Sequence, residues 1–187
     1  MQFTVMPLTI PDVVVISTRP IADARGHFVV VYELNAFREF GLPVFVQDNQ
    51  ALSHRRGTIR GLHYQTEPHA QAKLIRVLRG AIFDVAVDLR RSSPTFGKWV
   101  SATLTAESGD QLFVPKGFAH GYCTLEDATE VAYRCDDFYA PRAEAGVHFA
   151  DPALAIPWPV SLEAAILADK DRALPKFADA ATFGVAA

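Results

Sequence analysis

Apolar and polar residues alternate along this chain in short bursts, not at the spacing of amphipathic helices. VVVIS at 13–17, HFVVVY at 27–32, FVQDNQAL at 45–52, TIRGLHYQ at 58–65, AKLIRVLRG at 72–80 and AIFDVAVDL at 81–89 are rich in β-branched and aromatic residues. Further runs follow at 98–105, 111–114, 119–125 and 129–135, and Gly, Pro, Asp or Asn separates most of them. Many short strands spaced by about 8–12 residues predict a β-sandwich or barrel, not a βαβ fold. Helical signals are few. NAFREFG at 35–41 opens on an N-cap-type Asn and closes on Gly, which predicts one short helix. The C-terminal stretch containing WPVSLEAAILADKD predicts one or two helical turns within about 160–187. The pattern as a whole predicts an all-β jelly roll, with residues 1–187 forming a single domain.

Composition narrows the functional classes. Half of the 187 residues are hydrophobic and 21% are charged, as in an ordinary globular protein. A net charge of -3 gives no reason to expect nucleic-acid or polybasic membrane contacts. No apolar run approaches a membrane span, and MQFTVMPLTIPD lacks the basic-then-apolar plan of a signal peptide. Two cysteines, Cys123 and Cys135, are too few for a disulfide framework, so reduced thiols in a cytoplasmic protein are expected.

Chemistry-bearing residues interrupt the apolar pattern. In a regular strand, Ile59, Gly61, His63 and Gln65 would line one side and Arg60, Leu62 and Tyr64 the other. VPKGFAHGYCTL contains Pro115-x-Gly117-x-x-His120, a tight turn that delivers a histidine early on a strand. Cupin barrels use such a turn to deliver a metal ligand, but the early-strand partner motif is absent here. His63 is followed by Tyr64 and Gln65, with Glu67 and His69 in a loop-like stretch. Two well-placed histidines fall short of the three or four converging ligands of a metal site, so no metal is expected. Taken singly, Lys73 reads as a solvated edge charge, Tyr133 as a core tyrosine and Asp171 as part of an exposed charge pair with Lys170. Arg25 and Arg60 read as surface arginines, though a guanidinium suits pyrophosphate.

Taken in order, FVQDNQALSHRRGTIRGLHYQTEPHAQAKLIRVLRGAIFDVAVDLRRSSPTFGKWV, QLFVPKGFAHGYCTLED and YRCDDFYAPRAEAGVHFADPALAIPWP resemble the dTDP-4-dehydrorhamnose 3,5-epimerase family. The resemblance runs from about Asp12 to Lys176. It implies a cupin-like jelly roll that uses neither cofactor nor metal, forms homodimers and inverts the carbons flanking a ketone in a nucleotide-linked 4-keto-6-deoxy sugar. The expected reaction is dTDP-4-dehydro-6-deoxyglucose to dTDP-4-dehydrorhamnose. Such chemistry needs a base, an acid on the opposite face and a stabiliser for the enolate oxygen. By resemblance His63 is the base, Asp171 fixes its tautomer, Tyr133 is the acid and Lys73 stabilises the enolate. His120 lines the sugar pocket, Arg25 and Arg60 hold the pyrophosphate, and Gln47 and Asn49 contact the nucleotide. Tyr139 and Phe28 stack on the base, while Glu144 and Lys170 match further substrate-contacting positions.

Two features generate further expectations. If strand alternation holds, Arg60 and His63 face opposite ways, so either a bulge at Gly61 reunites them or Arg60 serves a neighbouring subunit; subunit exchange is the expectation. Five residues beyond Arg25 the family carries a glutamate at the nucleotide base, where this chain has Val30, with Glu33 predicted on the other side. That departure raises a GDP- or CDP-linked sugar as an alternative. A C3-only epimerase, a metal-dependent cupin oxygenase using His63, His120 and Glu67 or His69, and a non-enzymatic sugar-nucleotide binder are the remaining readings.

Overall fold

The computed structural model describes residues 2–184; residue 1 and residues 185–187 of the expected 1–187 domain lie outside the described part. Eleven strands form two antiparallel sheets. One sheet, in the order β1-β2-β10-β7-β12-β5, comprises β1 (Phe3–Pro7), β2 (Val14–Thr18), β10 (Gln111–Val114), β7 (Lys73–Arg79), β12 (Thr129–Cys135) and β5 (Gln47–Ser53). The other, in the order β13-β6-β11-β8-β9, comprises β13 (Glu144–Gly146), β6 (Ile59–Gln65), β11 (Phe118–Thr124), β8 (Ala81–Asp88) and β9 (Trp99–Thr105). Among the described residues β3 (Ile21–Asp23) and β4 (Gly26–Phe28) pair only with each other, in an exposed hairpin.

Alternation decides which side chains are buried and where. Ile75 and Val77 of β7, Ile82 and Ala86 of β8, Leu112 of β10 and Val131 of β12 point between the sheets and form the central apolar layer. Strand residues of opposite parity pack outward. Val85 and Val87 of β8, with Leu62 and Tyr64 of β6, are covered by the C-terminal segment through Phe149, Ile156 and Trp158. On the far side, Val14, Ile16, Leu74 and Phe113 are covered by Phe37 of helix α1 (Leu34–Glu39) and by Val30 and Tyr32. With both sheets covered on their outer faces, several strands read as nearly continuous apolar runs instead of strict alternation.

Most sequence-predicted strands are present within a residue or two. The exception is the run at 27–32, which is strand only as far as Phe28; Val30 and Tyr32 beyond it serve as apolar cover. The predicted helix forms, but its cap is Glu33, whose carboxylate accepts the Asn35 and Ala36 N–H groups; Asn35 lies inside the helix. Gly41, at φ +74°, follows the helix as expected. The C-terminal region is largely irregular, with one helical turn, α2 (Asp169–Arg172), and a 3-10 turn at Phe177–Asp179.

Candidate active site

The two sheets approach each other along the β9 side and part on the other, between β5 and β12 on one sheet and β6 and β11 on the other. A cavity of about 380 Å3 opens there, lined by Arg60, His63, Lys73, His120, Tyr122, Tyr133 and the segment Ile166–Asp171. An adjoining cavity of about 210 Å3 shares His63, Lys73, Tyr133 and Lys170 with it and is lined further by Gln47, Asn49, Cys135, Tyr139 and Glu144.

A change of register brings the key residues together. His120 stands opposite His63, but Tyr122 stands opposite Arg60, so β6 has one residue more than β11 over this stretch. The extra residue reverses the alternation. Ile59 now shares the apolar side with Leu62 and Tyr64, and Arg60 shares the cavity with His63. This corrects both the regular facing read from the sequence and the assignment of Arg60 to a neighbouring subunit. The bulge requires glycine at Gly61, at φ +128°, where a Cβ would meet the Gly121 Cα at 2.6 Å.

His63 is held by a residue more than a hundred positions away. Ile59 N–H donates to the Ile166 carbonyl and Ile166 N–H to the Gly57 carbonyl, which lays the C-terminal segment along the start of β6. That docking sets Asp171 behind the imidazole. Nε2–H of His63 donates to Asp171 Oδ1 at 2.8 Å, and the Gly61 N–H donates to Oδ2 at 3.3 Å. Burial raises the Asp171 carboxyl, but its hydrogen bond and charge interaction with His63, the Gly61 N–H and Lys170 outweigh burial and leave it below its ordinary value. With Nε2 committed to a carboxylate, Nδ1 is the basic nitrogen of the neutral ring. His120 is arranged in the same way, with Nε2 2.7 Å from the fully buried Asp84 Oδ1.

Across the cavity, Lys73 and Tyr133 come from adjacent strands of the other sheet. Lys73 Nζ donates to the His63 carbonyl at 3.2 Å, and burial lowers its pKa against the opposing pull of Cys135, Asp84 and Glu144. Burial raises the pKa of Tyr133. At the mouth, Glu144 accepts from Lys170 Nζ at 2.8 Å and from the Tyr139 hydroxyl at 2.8 Å. Lys170 first, then Tyr139, holds Glu144 below the usual carboxylate range. Gln47 accepts the Tyr139 N–H at 3.0 Å and donates to Asn49 at 2.9 Å, so β5 fixes the loop that carries Tyr139.

The residue model of the family described as dTDP-4-dehydrorhamnose 3,5-epimerase matches residues 7–179. The chain belongs to that family. It is 49% identical to the dTDP-4-dehydrorhamnose 3,5-epimerase of Pseudomonas aeruginosa over 94% of this chain and 97% of that one. The crystal structure of the Bacillus anthracis enzyme, with TDP and pyrophosphate bound, is 47% identical and superposes with a TM-score of 0.90, covering 93% of this chain and 99% of that one. The Legionella pneumophila enzyme, solved with dTDP-4-keto-L-rhamnose, is 40% identical with a TM-score of 0.90 over 94% and 93% of the two chains.

Of the positions that the family resemblance singles out, eleven line the two cavities and two do not. Arg25 and Phe28 lie on the β3–β4 hairpin, Arg25 paired among the described residues only with the neighbouring Asp23 and Phe28 65% exposed. Val30 packs into an apolar layer and Glu33 caps a helix, so neither lines either of these two cavities. Glu67 and His69 are also outside both cavities, His69 facing Asp137, and among the described residues no three His, Cys, Asp or Glu side chains converge as a metal site. The sequence reading passed over Asp84 and Tyr122. Asp84 carried a usable signal, a charge at an inward position between Ile82 and Ala86, and Tyr122 follows His120 by the two residues that keep it on the same face.

Proposed function

We propose that the cavity epimerises a dTDP-linked 4-keto-6-deoxy sugar at C3 and C5, converting dTDP-4-dehydro-6-deoxyglucose to dTDP-4-dehydrorhamnose. The observation that carries this reading is the His63–Asp171 pair at 2.8 Å, facing Tyr133 across the cavity with Lys73 between the sheets. His63 Nδ1 takes the proton from the carbon next to the ketone, and Asp171 stabilises the imidazolium that forms. The negative charge moves to the ketone oxygen, where Lys73 meets it; burial makes Lys73 a stronger acid than a solvated lysine and so a stronger donor to that oxygen. Tyr133 returns a proton to the opposite face; the His63 imidazolium then gives its proton to solvent and the tyrosinate takes one from solvent, which restores both groups for the second carbon. His120, oriented by Asp84, lines the sugar subsite. Arg60 takes the diphosphate, and Gln47, Asn49, Tyr139, Glu144 and Lys170 hold the nucleotide end.

The protein acts as a homodimer in which the β3–β4 hairpin of one copy completes the site of the other. In support, Arg25 and Phe28 match substrate-contacting family positions yet stand exposed and outside the cavities of their own chain. Residues 1–187 act as one domain, and its place of action is the cytoplasm, where nucleotide sugars are made. Among the described residues no helix is long and apolar enough to cross a membrane.

Proton NMR of dTDP-4-keto-6-deoxyglucose with the protein in D2O tests the reaction. Loss of both the C3 and C5 signals is expected. Loss of the C3 signal alone would replace the double inversion by the C3-only reaction, and no loss with dTDP but exchange with a GDP- or CDP-linked sugar would overturn the nucleotide.

A further inference from the structure

Arg60 differs in its anchoring from most of the well-held arginines of this protein, and like Arg91 it has a neutral hydroxyl as partner. Arg25, Arg79, Arg90 and Arg134 each lie against a carboxylate, whereas among the described residues none pairs with Arg60. Neutral groups hold it instead. Nε donates to the Ser53 hydroxyl at 3.1 Å and a terminal nitrogen donates to the Leu52 carbonyl at 3.0 Å. Both acceptors sit at the end of β5, on the sheet opposite to the one that carries Arg60. The guanidinium therefore crosses from one sheet to the other at the edge of the cavity.

Two hydrogen bonds from different nitrogens fix both the position and the plane of the guanidinium. A guanidinium has about five N–H donors, so most of them remain for a ligand. Ser53 is the anchor that sets the plane, because without it the group can pivot about the single bond to the Leu52 carbonyl. It is itself buried, 3% exposed at an inward position of β5. A hydroxyl also leaves the positive charge uncompensated, where a carboxylate would have competed with an anionic ligand for it. Tyr122, opposite Arg60 in the strand register, lines the same cavity and adds another neutral group.

We propose that Ser53 is a positioning residue for nucleotide-sugar recognition, holding the Arg60 guanidinium in a fixed plane without neutralising it. The inference rests on the reading that Arg60 takes the diphosphate. The experiment is a cycle of Ser53→Ala, Arg60→Lys and the double variant, with Ser53→Thr as the conservative control. It reads TDP affinity by calorimetry and kcat and KM from C–H exchange. Ser53→Ala is expected to weaken TDP and raise KM by about ten-fold while kcat stays within about two-fold, since binding geometry and not proton transfer is altered. Ser53→Thr, which keeps the hydroxyl, should recover most of the loss. In the Arg60→Lys background, Ser53→Ala should add little, because the group it positions is gone. Additive losses, an unrescued Thr variant, or a fall in kcat at constant KM would overturn the role of Ser53 while leaving Arg60 in place. Unchanged TDP affinity in Arg60→Lys alone would instead remove the diphosphate assignment, and the inference with it.

Discussion

A histidine removes a proton from carbon only if one nitrogen is free and the resulting charge has a partner. Asp171 meets both conditions for His63 with one hydrogen bond, reinforced from β6 by the Gly61 N–H. Asp171→Asn keeps the shape but loses the charge and can favour the wrong tautomer. It is expected to lower the rate of C–H exchange by about 10²–10⁴-fold with TDP affinity unchanged, measured by exchange NMR and calorimetry. Tyr133→Phe should separate the two halves of the reaction. Proton removal from the substrate continues, because His63 is untouched, while net inversion falls by about 10²-fold or more for want of a donor on the other face. Equal losses of exchange and inversion would refute the role of Tyr133. At this scale the sequence was informative about residue types and poor about partners. His63 stands out from its strand pattern, but its pairing with Asp171 comes only through family resemblance, since a separation of 108 residues leaves no local spacing to read. Asp84 was passed over because one acidic residue in an apolar strand has meaning only once its histidine is known to face it.

At the scale of elements, the alternation of apolar residues is what made the fold readable, and its interruption is what made the site unreadable. Ten runs were expected as strands, and nine of them form strands over most of their length. The tenth, 27–32, is as apolar as its neighbours, but from Val30 onward it covers a sheet instead of joining one. β1, ending in Pro7 at a sheet edge, gave no alternation to detect. The register change in β6 was visible only as a glycine, and the facing of Arg60 depended on it. Gly61→Ala should therefore damage stability and site together, costing about 3 kcal/mol or more in denaturant unfolding, since the neighbouring contact is backbone and cannot yield. A second element-scale device fixes β11. The buried Asp88 accepts from Arg90, Ser93 and Thr95, and the Arg90 guanidinium lies 4.6 Å over the Phe118 ring at the head of the strand carrying His120. Burial raises the Asp88 carboxyl, but these donors together bring it down from 3.8 to about 2. A carboxyl depressed on folding contributes stability above its unfolded value and loses it as pH falls through the folded one. The contribution, about 2 kcal/mol, should therefore be complete at neutral pH and disappear between roughly pH 4 and pH 2. Acid unfolding of Asp88→Asn should lack that component, with lower stability at pH 7 and a shallower slope below pH 4.

At the scale of the whole molecule, one barrel carries most of the site and leaves two expected contacts out of it. Ile21 and Phe28 are 67% and 65% exposed on a hairpin that, among the described residues, pairs with nothing but itself, an apolar patch that a partner surface would cover. A two-fold dimer would cover two such hairpins by symmetry and carry each Arg25 to the opposite cavity. This makes a prediction that no single-chain site can satisfy. Arg25→Ala and His63→Ala chains, each almost inactive as pure homodimers, should regain activity when unfolded together and refolded as a mixture. In a mixed dimer of this kind one site would have both defects and the other neither, because the hairpin and the histidine of a complete site would come from different chains. Random pairing makes about half of the dimers mixed, so recovery should approach about a quarter of the wild-type rate. Sedimentation would verify the dimer independently of activity. A mixture no more active than its components would place Arg25 on its own chain's cavity or outside the reaction, and recovery in a mixture of Asp171→Asn with His63→Ala should be absent, since those two residues meet within one chain.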